Sequence, residues 1–403
     1  MDHELTPDYG NMFEGYIAQS VQTTLRSIPA DAHYLAQEER DRVMHVLNYA
    51  LTTASAWPLA RDLILRTAAK MEQAGHRGDW MDYLEDALAY SRWHEDELAT
   101  AEIQWHIGHL LRLQSQFGAA RQALEASAAV FATLDHKHGQ ARTWNELGYL
   151  AWHQQQFVEA QQFAEAALAV LAVDDPERAG ALAVLGGVAV SQQQWAHGEE
   201  IFREALQIHR QSGSKQRIAW TMQHLGYVLY CEKEYAEAIH FYEAALQLLT
   251  EIQDVRNCGI VQMSLGMVYW NLQQLDRTLE LYESAEAMFR KTHDRLYLAK
   301  TVTNKGLVFL DLQEWQRAKD AFTGSIALYQ DLNDSYGLIN SLDGLGLACC
   351  GLAVFDEAVE VFASALERID EIQEHPMYQK LKGDLTAHCN DARNKGRLSA
   401  PPE

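Results

Sequence analysis

The sequence predicts an all-α protein that folds as a right-handed superhelical solenoid of paired helices. The first observation is a glycine that recurs at nearly constant spacing, followed nine residues later by a large apolar residue and ten residues after that by a small one. The second is composition, because 48% of the 403 residues are hydrophobic and only seven are proline, which suits long helices. A fixed period of this length is typical of repeat proteins, whose units bury their apolar faces only against neighbours.

The repeat is clearest between Trp220 and Asp254, where two amphipathic helices are expected. Gly226 lies in the middle of the first helix, and Ala238, Tyr242 and Ala245 follow at helical spacing on the second. Glycine inside a helix costs about 1 kcal/mol relative to alanine, so its presence needs a reason. We expect close approach of the second helix to be that reason, with Tyr242 filling the space between the two.

Seven copies of this pattern are in register. Their glycines are Gly108, Gly148, Gly186, Gly226, Gly266, Gly306 and Gly346. The large residues are Phe117, Phe157, Trp195, Tyr235, Leu275, Trp315 and Phe355, and the small ones are Ser127, Ala167, Ala205, Ala245, Ala285, Ser325 and Ala365. The step between glycines is 40 residues except between the second and third copies, where it is 38. There we expect a turn shorter by two residues, with Asp175 as the N-cap and Pro176 at the first helical position.

These positions resemble the tetratricopeptide repeat (TPR), which has small residues and a leucine on its first helix and a small, aromatic, small series on its second. The period of about 40 residues is similar to that of the long TPR arrays of kinesin light chains, peptide-pheromone receptors and the sensor regions of bacterial signal-transduction ATPases. Two features depart from the pattern: Lys305 replaces the aliphatic residue before a glycine, and no proline ends the repeats. The resemblance covers roughly residues 60–372 and implies a solenoid of TPR helix pairs, without specifying a ligand.

The rest of the chain completes a predicted domain plan. We expect N-terminal helices in residues 1–57, a TPR solenoid of about eight repeats in 58–372, a capping helix in 373–393 and a disordered tail in 394–403. The first of the eight repeats is degenerate, since Met71 replaces the glycine and Trp80 follows it by nine residues.

Residues 38–92 also resemble the entry into the TPR sensor of signal-transduction ATPases, on the helix before Trp57-Pro58 and the turn His76 to Trp80. No G-x-x-x-x-G-K-[ST] motif for ATP accompanies them. We therefore expect a stand-alone relative, which Met1 favours, or a fragment of a longer protein.

The resemblance implies that the first helices line a concave groove, where positions −3, +1, +4 and +5 from each glycine are rich in aromatic residues. Aromatic residues, methionine and arginine are enriched at protein interfaces. The predicted peptide-binding residues are Trp105, His109, Arg112, Arg142, Asn145, Tyr149, Trp152, Gln223, Tyr227, Tyr230, Met263, Met267, Trp270 and Asn271. In the third copy the small residues Ala183, Gly187, Val190 and Ser191 are expected to form a pocket floor. The alternative is that the aromatic residues pack between adjacent first helices.

Charge and composition limit the partners. With 33 basic and 56 acidic residues the net charge is −23, which disfavours nucleic acid and anionic membranes. The sequence has no long apolar run and no signal peptide. Its five cysteines lack metal-ligand spacing, which favours a reduced, cytoplasmic setting.

The sequence predicts no enzyme, no cofactor and no metal. It lacks G-x-S-x-G and H-E-x-x-H motifs, and we interpret His106 and His109 as solvated surface residues. The predicted function is a non-enzymatic scaffold that binds a peptide or protein segment in its groove. The alternative is an effector-sensing TPR module of a signal-transduction or transcription-regulatory system, and an all-helical enzyme is a further one. The partner's identity and the oligomeric state are not predicted.

Overall fold

The computed structural model describes residues 9–29, 35–73, 77–114 and 116–399. Within these ranges helix accounts for nearly all regular structure, 85% overall, and no strand occurs. The helices of the first part are α1 (Tyr9–Ser27), α2 (Gln37–Ala50), α3 (Trp57–Gln73), α4 (Arg77–Trp93), α5 (Glu97–Leu113), α6 (Phe117–Thr133), α7 (Lys137–His153), α8 (Phe157–Val170), α9 (Arg178–Ser191), α10 (Trp195–Ser212), α11 (Lys215–Cys231) and α12 (Tyr235–Glu251). The second part holds α13 (Val255–Asn271), α14 (Leu275–Lys291), α15 (Arg295–Asp311), α16 (Trp315–Leu332), α17 (Ser335–Gly351), α18 (Phe355–Arg368) and α19 (Tyr378–Ser399).

The chain divides into two compact units, Met1–Asp254 and Val255–Glu403. In the first unit α5 packs with α6, α7 with α8, α9 with α10 and α11 with α12. In the second unit α13 packs with α14, α15 with α16 and α17 with α18. Each unit is therefore built from helix pairs in chain order, and the predicted fold class of an all-α repeat solenoid is confirmed. No helix in the described ranges combines the length and apolarity needed to cross a bilayer.

Helix and turn lengths explain the 40-residue period. In the regular copies a 17-residue helix such as α11 is followed by a three-residue turn, so one pair occupies 40 residues. Most of the described turns contain one residue in the left-handed region, for example Lys233 with φ 66° after α11 and Gln253 with φ 55° after α12. Such a residue ends a helix in one step, which keeps the turns short; only after α10 is it a glycine, Gly213, among the described turns.

Close approach of the two helices of a pair accounts for the recurring glycine. A Cβ added to Gly226 would lie 2.8 Å from the Tyr242 ring, and one added to Gly266 would lie 2.3 Å from Tyr282. Both rings are fully buried. The expectation that Tyr242 fills the space beside Gly226 is confirmed. The same position, 16 residues after the glycine, holds a buried aromatic ring in five of the seven copies.

The second copy fills this space differently. The residue 16 positions after Gly148 is Ala164, and the nearest side chain to a Cβ added at Gly148 is Val184 of α9, at 3.1 Å. This copy also ends irregularly, because α8 has only 14 residues and a seven-residue connection separates it from α9. The predicted shorter turn is therefore wrong: α8 and α9 each have 14 residues where a regular helix has 17, and the connection between them is longer. Asp175 accepts a hydrogen bond from the Glu177 backbone N–H within this connection, so it caps the turn and not α9 itself.

At the N-terminal end, α1, α2 and α3 contribute Ile17, Val21, Val43, Leu47 and Leu63 to one buried cluster. Helix α3 begins at Trp57, with proline at its second position as expected. In the degenerate repeat Met71 and Trp80 are almost completely buried. Residues 1–8 and His76 of the predicted turn lie outside the described residues.

At the C-terminal end, α19 packs Leu381, Leu385 and Cys389 against the last helix pair, so a capping helix is present. It runs from Tyr378 to Ser399, whereas we expected it to end at residue 393 and a disordered tail to follow. That expectation is wrong for residues 394–399, and residues 400–403 lie outside the described residues. The reason is a tertiary contact, since a Cβ added at Gly396 would lie 3.3 Å from Phe355.

Candidate functional site

The candidate surface lies on the first helices of the pairs. In the first unit α3, α5, α7 and α9 contact one another in succession, and in the second unit α13, α15 and α17 do the same. The predicted binding residues from Trp105 to Tyr230 belong to α5, α7 and α11 of the first unit, and those from Met263 to Asn271 belong to α13 of the second. The structure shows which of these side chains are already engaged within the protein.

An ionic network joins α3, α5 and α7. His106 Nδ1 lies 2.8 Å from Glu72 Oε1, and His109 Nδ1 lies 3.0 Å from Glu146 Oε2. Arg112 Nε donates to the same Glu146 oxygen at 2.8 Å. The side chains of both carboxylates are at most one-tenth exposed. The interpretation of His106 and His109 as solvated surface residues is therefore wrong, because carboxylates from neighbouring repeats cover them.

The network keeps both of its carboxylates ionised. Burial by itself would raise the pKa of Glu146, but the charges of Arg112 and His109 outweigh it and hold that pKa well below its ordinary value. Burial also opposes ionisation of Glu72, and His106 beside it lowers the pKa of Glu72 below its ordinary value. The two buried negative charges are thus matched to the groups around them, and removing one partner would leave a buried charge uncompensated.

Trp105 and Arg142 form a stack next to this network. The Trp105 ring is parallel to the His109 ring, with centroids 5.3 Å apart, and the Arg142 guanidinium lies 4.3 Å from the Trp105 ring centroid. Arg142 also pairs with Glu102. Arg112 and Arg142, the two arginines among the predicted peptide-binding residues, are therefore already paired with carboxylates of this chain.

An aromatic cluster joins α7, α10 and α11. Trp220 and His224 have ring centroids 4.0 Å apart, Tyr149 meets Trp220 edge to face at 5.6 Å, and Phe202 stacks on His224 at 5.2 Å. Trp152 lies 6.2 Å from His224. Trp220 and His224 did not appear among the predicted binding residues, because they lie six and two positions before Gly226 and outside the positions chosen there.

Trp152 covers the small residues of the third copy. A Cβ added at Gly187 would lie 2.8 Å from the Trp152 ring. The indole Nε1 donates a hydrogen bond to Ser191 Oγ at 2.8 Å. The surface proposed as an open pocket floor is therefore occupied in part by Trp152, and for this residue the structure supports packing between adjacent first helices.

The aromatic cluster carries no charge near neutral pH. Burial lowers the pKa of His224 to about 4, with His153 adding to the effect. Burial raises the pKa of Tyr149 far above its ordinary value and that of Tyr227 to about 12. Moreover, α9 and α11 contain no acidic residue, and their basic residues Arg178, Lys215 and Arg217 stand in the first turn. This part of the surface is apolar and aromatic although the whole chain is strongly acidic.

Tyr227 is an exposed aromatic residue on α11, the helix that also carries Trp220 and His224 of the aromatic cluster. It is 42% exposed, and its ring stacks with that of Tyr230 at 6.4 Å between centroids. Gln223, one turn before Tyr227 on α11, is half-buried. Deeper in the layer, Asn145 donates to the Glu177 carbonyl at 3.0 Å, while its buried Oδ1 has no partner among the described residues. The Nε1 donor of Trp105 is likewise buried without a partner there.

The predicted residues of the second unit are also engaged locally. Trp270 Nε1 donates to Asp311 Oδ2 at 2.6 Å, and Asn271 Nδ2 donates to the Met267 carbonyl at 2.9 Å. The Thr301 hydroxyl lies 3.5 Å from the Met263 sulfur. These contacts place the four residues on α13 as expected, and their role in binding stays a prediction. Among the described residues no group of three or more His, Cys, Asp or Glu side chains is arranged to hold a metal ion.

Residues 177–251 match the tetratricopeptide repeat family. This segment contains tetratricopeptide repeats. The match covers α9 to α12 and includes the stretch in which the repeat is clearest in the sequence. No curated protein sequence matches this chain significantly.

Three solved structures share the TPR fold. A Rap protein complexed with Competence and Sporulation Factor is 13% identical with a TM-score of 0.57, and the match covers 95% of this chain and 99% of that one. The apo form of the quorum sensor NprR from B. thuringiensis is 16% identical with a TM-score of 0.55, covering 75% and 85%. The TPR sensor-containing signal-transduction ATPase from Pyrococcus horikoshii is 13% identical with a TM-score of 0.58. Here the match covers 87% of this chain but spans only 55% of the ATPase. At these identities the likeness shows the fold alone.

Proposed function

We propose that this protein is a non-enzymatic TPR scaffold that binds a peptide or protein segment on the first helices of its first unit. The observation that carries the proposal is the apolar, aromatic surface of α7 and α11, which ends in the exposed ring of Tyr227. Exposed aromatic rings next to buried ones are typical of binding hot spots, which are anchored by tyrosine and tryptophan.

The contacts within the protein limit which of the predicted residues can bind a peptide. Arg112, Arg142 and His109 are paired with carboxylates of this chain, so they contribute to the shape of the surface and not to the capture of a ligand charge. The remaining contact surface centres on Gln223, Tyr227 and Tyr230 of α11. Because α11 contains no carboxylate, the net charge of −23 does not by itself exclude an acidic partner.

The occupant expected from this surface is an extended segment with apolar side chains. Aromatic rings offer large contact area at small entropic cost, and amide groups such as that of Gln223 are suited to bond a peptide backbone. The Rap structure with the same fold is complexed with Competence and Sporulation Factor, which supports binding as a function open to this fold. The likeness of fold does not carry that factor over to this chain.

The decisive experiment selects binding peptides from a random library on the wild-type protein and measures their affinity for two tyrosine variants. Tyr227→Ala removes the proposed anchor, and Tyr49→Ala on α2 removes a ring that is 48% exposed. We expect Tyr227→Ala to weaken binding about thirtyfold, equivalent to about 2 kcal/mol, and Tyr49→Ala to leave it unchanged. Equal affinities for all three proteins would refute the proposed binding surface.

The alternative is an effector-sensing module of a signal-transduction or transcription-regulatory system. Native mass spectrometry of protein purified from its source separates the two. A polypeptide retained in stoichiometric amount supports the scaffold, whereas a retained small molecule supports the sensor.

A further inference from the structure

Helix α1 has two apolar faces. Ile17, Val21 and Thr24 face the core and are almost completely buried. Tyr9, Met12, Phe13 and Tyr16 lie at the i, i+3, i+4 and i+7 positions of a second face and are 74%, 48%, 56% and 64% exposed. We call these four residues the α1 stripe. Spacing of this kind is what a helix uses to pack against another helix, yet nothing in the described structure covers it.

The outer face of α19, the last described helix, differs from that of α1. The exposed residues of α19 include Lys380, Thr386, Asp391, Arg393 and Lys395, so its outer face is polar. Terminal elements of a repeat protein need such a polar outer face for solubility. The first two turns of α1 have a large apolar face instead, and a surface of this kind marks an interaction site.

We propose that the α1 stripe is the contact surface of a homodimer, in which α1 of one copy packs antiparallel on α1 of another. A stripe that interdigitates with a copy of itself satisfies two-fold symmetry, because the same residues are presented from both sides. Phe13 and Met12, at the centre of the stripe, then lie close to the symmetry axis and face their own counterparts.

Electrostatic repulsion between two copies of this acidic chain is weakest where the surfaces in contact carry no charge. Two chains that each carry −23 repel one another over most of their surfaces. The α1 stripe contains no charged residue, and the one carboxylate in this half of the helix, Glu14, accepts a hydrogen bond from Ser55 at 2.6 Å. Salt screens the residual repulsion within about 8 Å at physiological ionic strength, so the dimer becomes tighter as salt is added. A contact held by opposite charges would respond in the opposite direction.

The available area is sufficient for a weak dimer. Large side chains bury roughly 150–250 Å² each, so four that are about half to three-quarters exposed offer roughly 400–500 Å² per copy. The two copies together bury about 1,000 Å², which is the lower limit for a specific interface. The dimer should therefore dissociate at micromolar concentration.

Sedimentation velocity of the full chain, from about 1 µM to about 100 µM, tests the proposal. The wild type should shift from monomer to dimer across this range, and more completely at higher salt. Phe13→Glu places one charge from each copy near the axis and should weaken the dimer more than tenfold. Val158→Glu, at a site on α8 that is 74% exposed, is the matched control and should dimerise like the wild type. A wild type that stays monomeric throughout, or a Phe13→Glu variant that dimerises normally, overturns the proposal.

A cross-link tests the symmetry directly. Met12→Cys should form an intermolecular disulfide on mild oxidation, because the two thiols meet near the axis, whereas Val158→Cys should not. Equal cross-linking of the two variants would show random collision and overturn the interface. A lipid membrane is the other apolar partner that the α1 stripe could contact, and flotation with zwitterionic lipid vesicles tests it. If the wild type is monomeric and floats with the vesicles, and Phe13→Glu does not float, the stripe binds a membrane surface. That result would also overturn the dimer.

Discussion

The contact between Gly226 and Tyr242 gives a quantitative test of the helix-pair packing. In Gly226→Ala the new Cβ would lie 2.8 Å from Tyr242 Cε1 and 2.9 Å from two further ring atoms. Favourable carbon contacts lie near 3.5–4.0 Å, so the ring or the helix must move by roughly 0.7 Å. Tyr242 is 1% exposed, and buried side chains of this kind are close-packed, so such a movement is costly.

Two opposing contributions decide the size of the effect. Overpacking of a filled core costs about 1–3 kcal/mol, and replacing glycine by alanine inside a helix returns about 1 kcal/mol. We expect Gly226→Ala to lower the free energy of unfolding by about 1–2 kcal/mol, and Gly226→Leu to lower it by several. For a unit of this size each kcal/mol corresponds to roughly 2–4 °C in melting temperature.

Thermal and urea unfolding followed by circular dichroism measure this change against a matched glycine. Gly15 lies inside α1, and a Cβ added there meets nothing within 4 Å. Gly15→Ala should therefore stabilise the protein by up to about 1 kcal/mol. In a Tyr242→Ala background, Gly226→Ala should also become stabilising, because the colliding ring is gone. A stabilising Gly226→Ala in the wild-type background would show that the pair is not closely packed and would refute the explanation of the repeat.

Three further predictions concern Trp152 and Glu146 of the first helices and His209 of α10. Trp152→Ala should lower the free energy of unfolding by about 3–5 kcal/mol in urea, because the ring packs on Gly187 and its Nε1 donates a hydrogen bond to Ser191. An unchanged free energy of unfolding would mean that Trp152 does not stabilise the fold and serves only to bind a ligand. Glu146→Gln should cost about 3–5 kcal/mol because it leaves the half-buried Arg112 without its carboxylate, while Glu159→Gln, in a more exposed pair, should cost less than about 1 kcal/mol. Burial lowers the pKa of His209 from 6.5 to about 4, so between those values the unfolded chain binds a proton that the folded chain does not. The free energy of unfolding should then fall as pH decreases through this window, by on the order of 3 kcal/mol, and His209→Leu should flatten that slope in urea titrations at successive pH values.

The sequence predicted the helix pairs because their cause is local and repeated. Glycine and the small residues on the second helix report a contact between helices that are adjacent in the chain, and the regular turns fix their spacing. The shortened α8 escaped prediction since the 38-residue step is compatible with either a shorter turn or a shorter helix. The observed bounds of α8 and α9 distinguish the two.

The candidate site was less predictable because its side chains are buried by residues one repeat away. His106 meets Glu72 across 34 residues, and Arg112 meets Glu146 across the same interval. A carboxylate and a base separated by about one repeat is a signal that the sequence does contain. It was not used, because positions were judged by their distance from the glycine of their own copy. Trp220 was missed for the same reason.

The second copy also has a consequence for how this array assembles. Its helix pair leaves a space between Gly148 and Ala164 that its own residues do not fill, and Val184 of α9 enters it. A nascent chain that has emerged only as far as α8 would therefore carry a cavity where five of the other pairs carry a ring and the first carries Leu124. The pair α7–α8 should gain its full stability only when α9 docks, so these three helices form a single cooperative folding step. A protease cut in the connection between α8 and α9 would then loosen the helices before it as well as those after it.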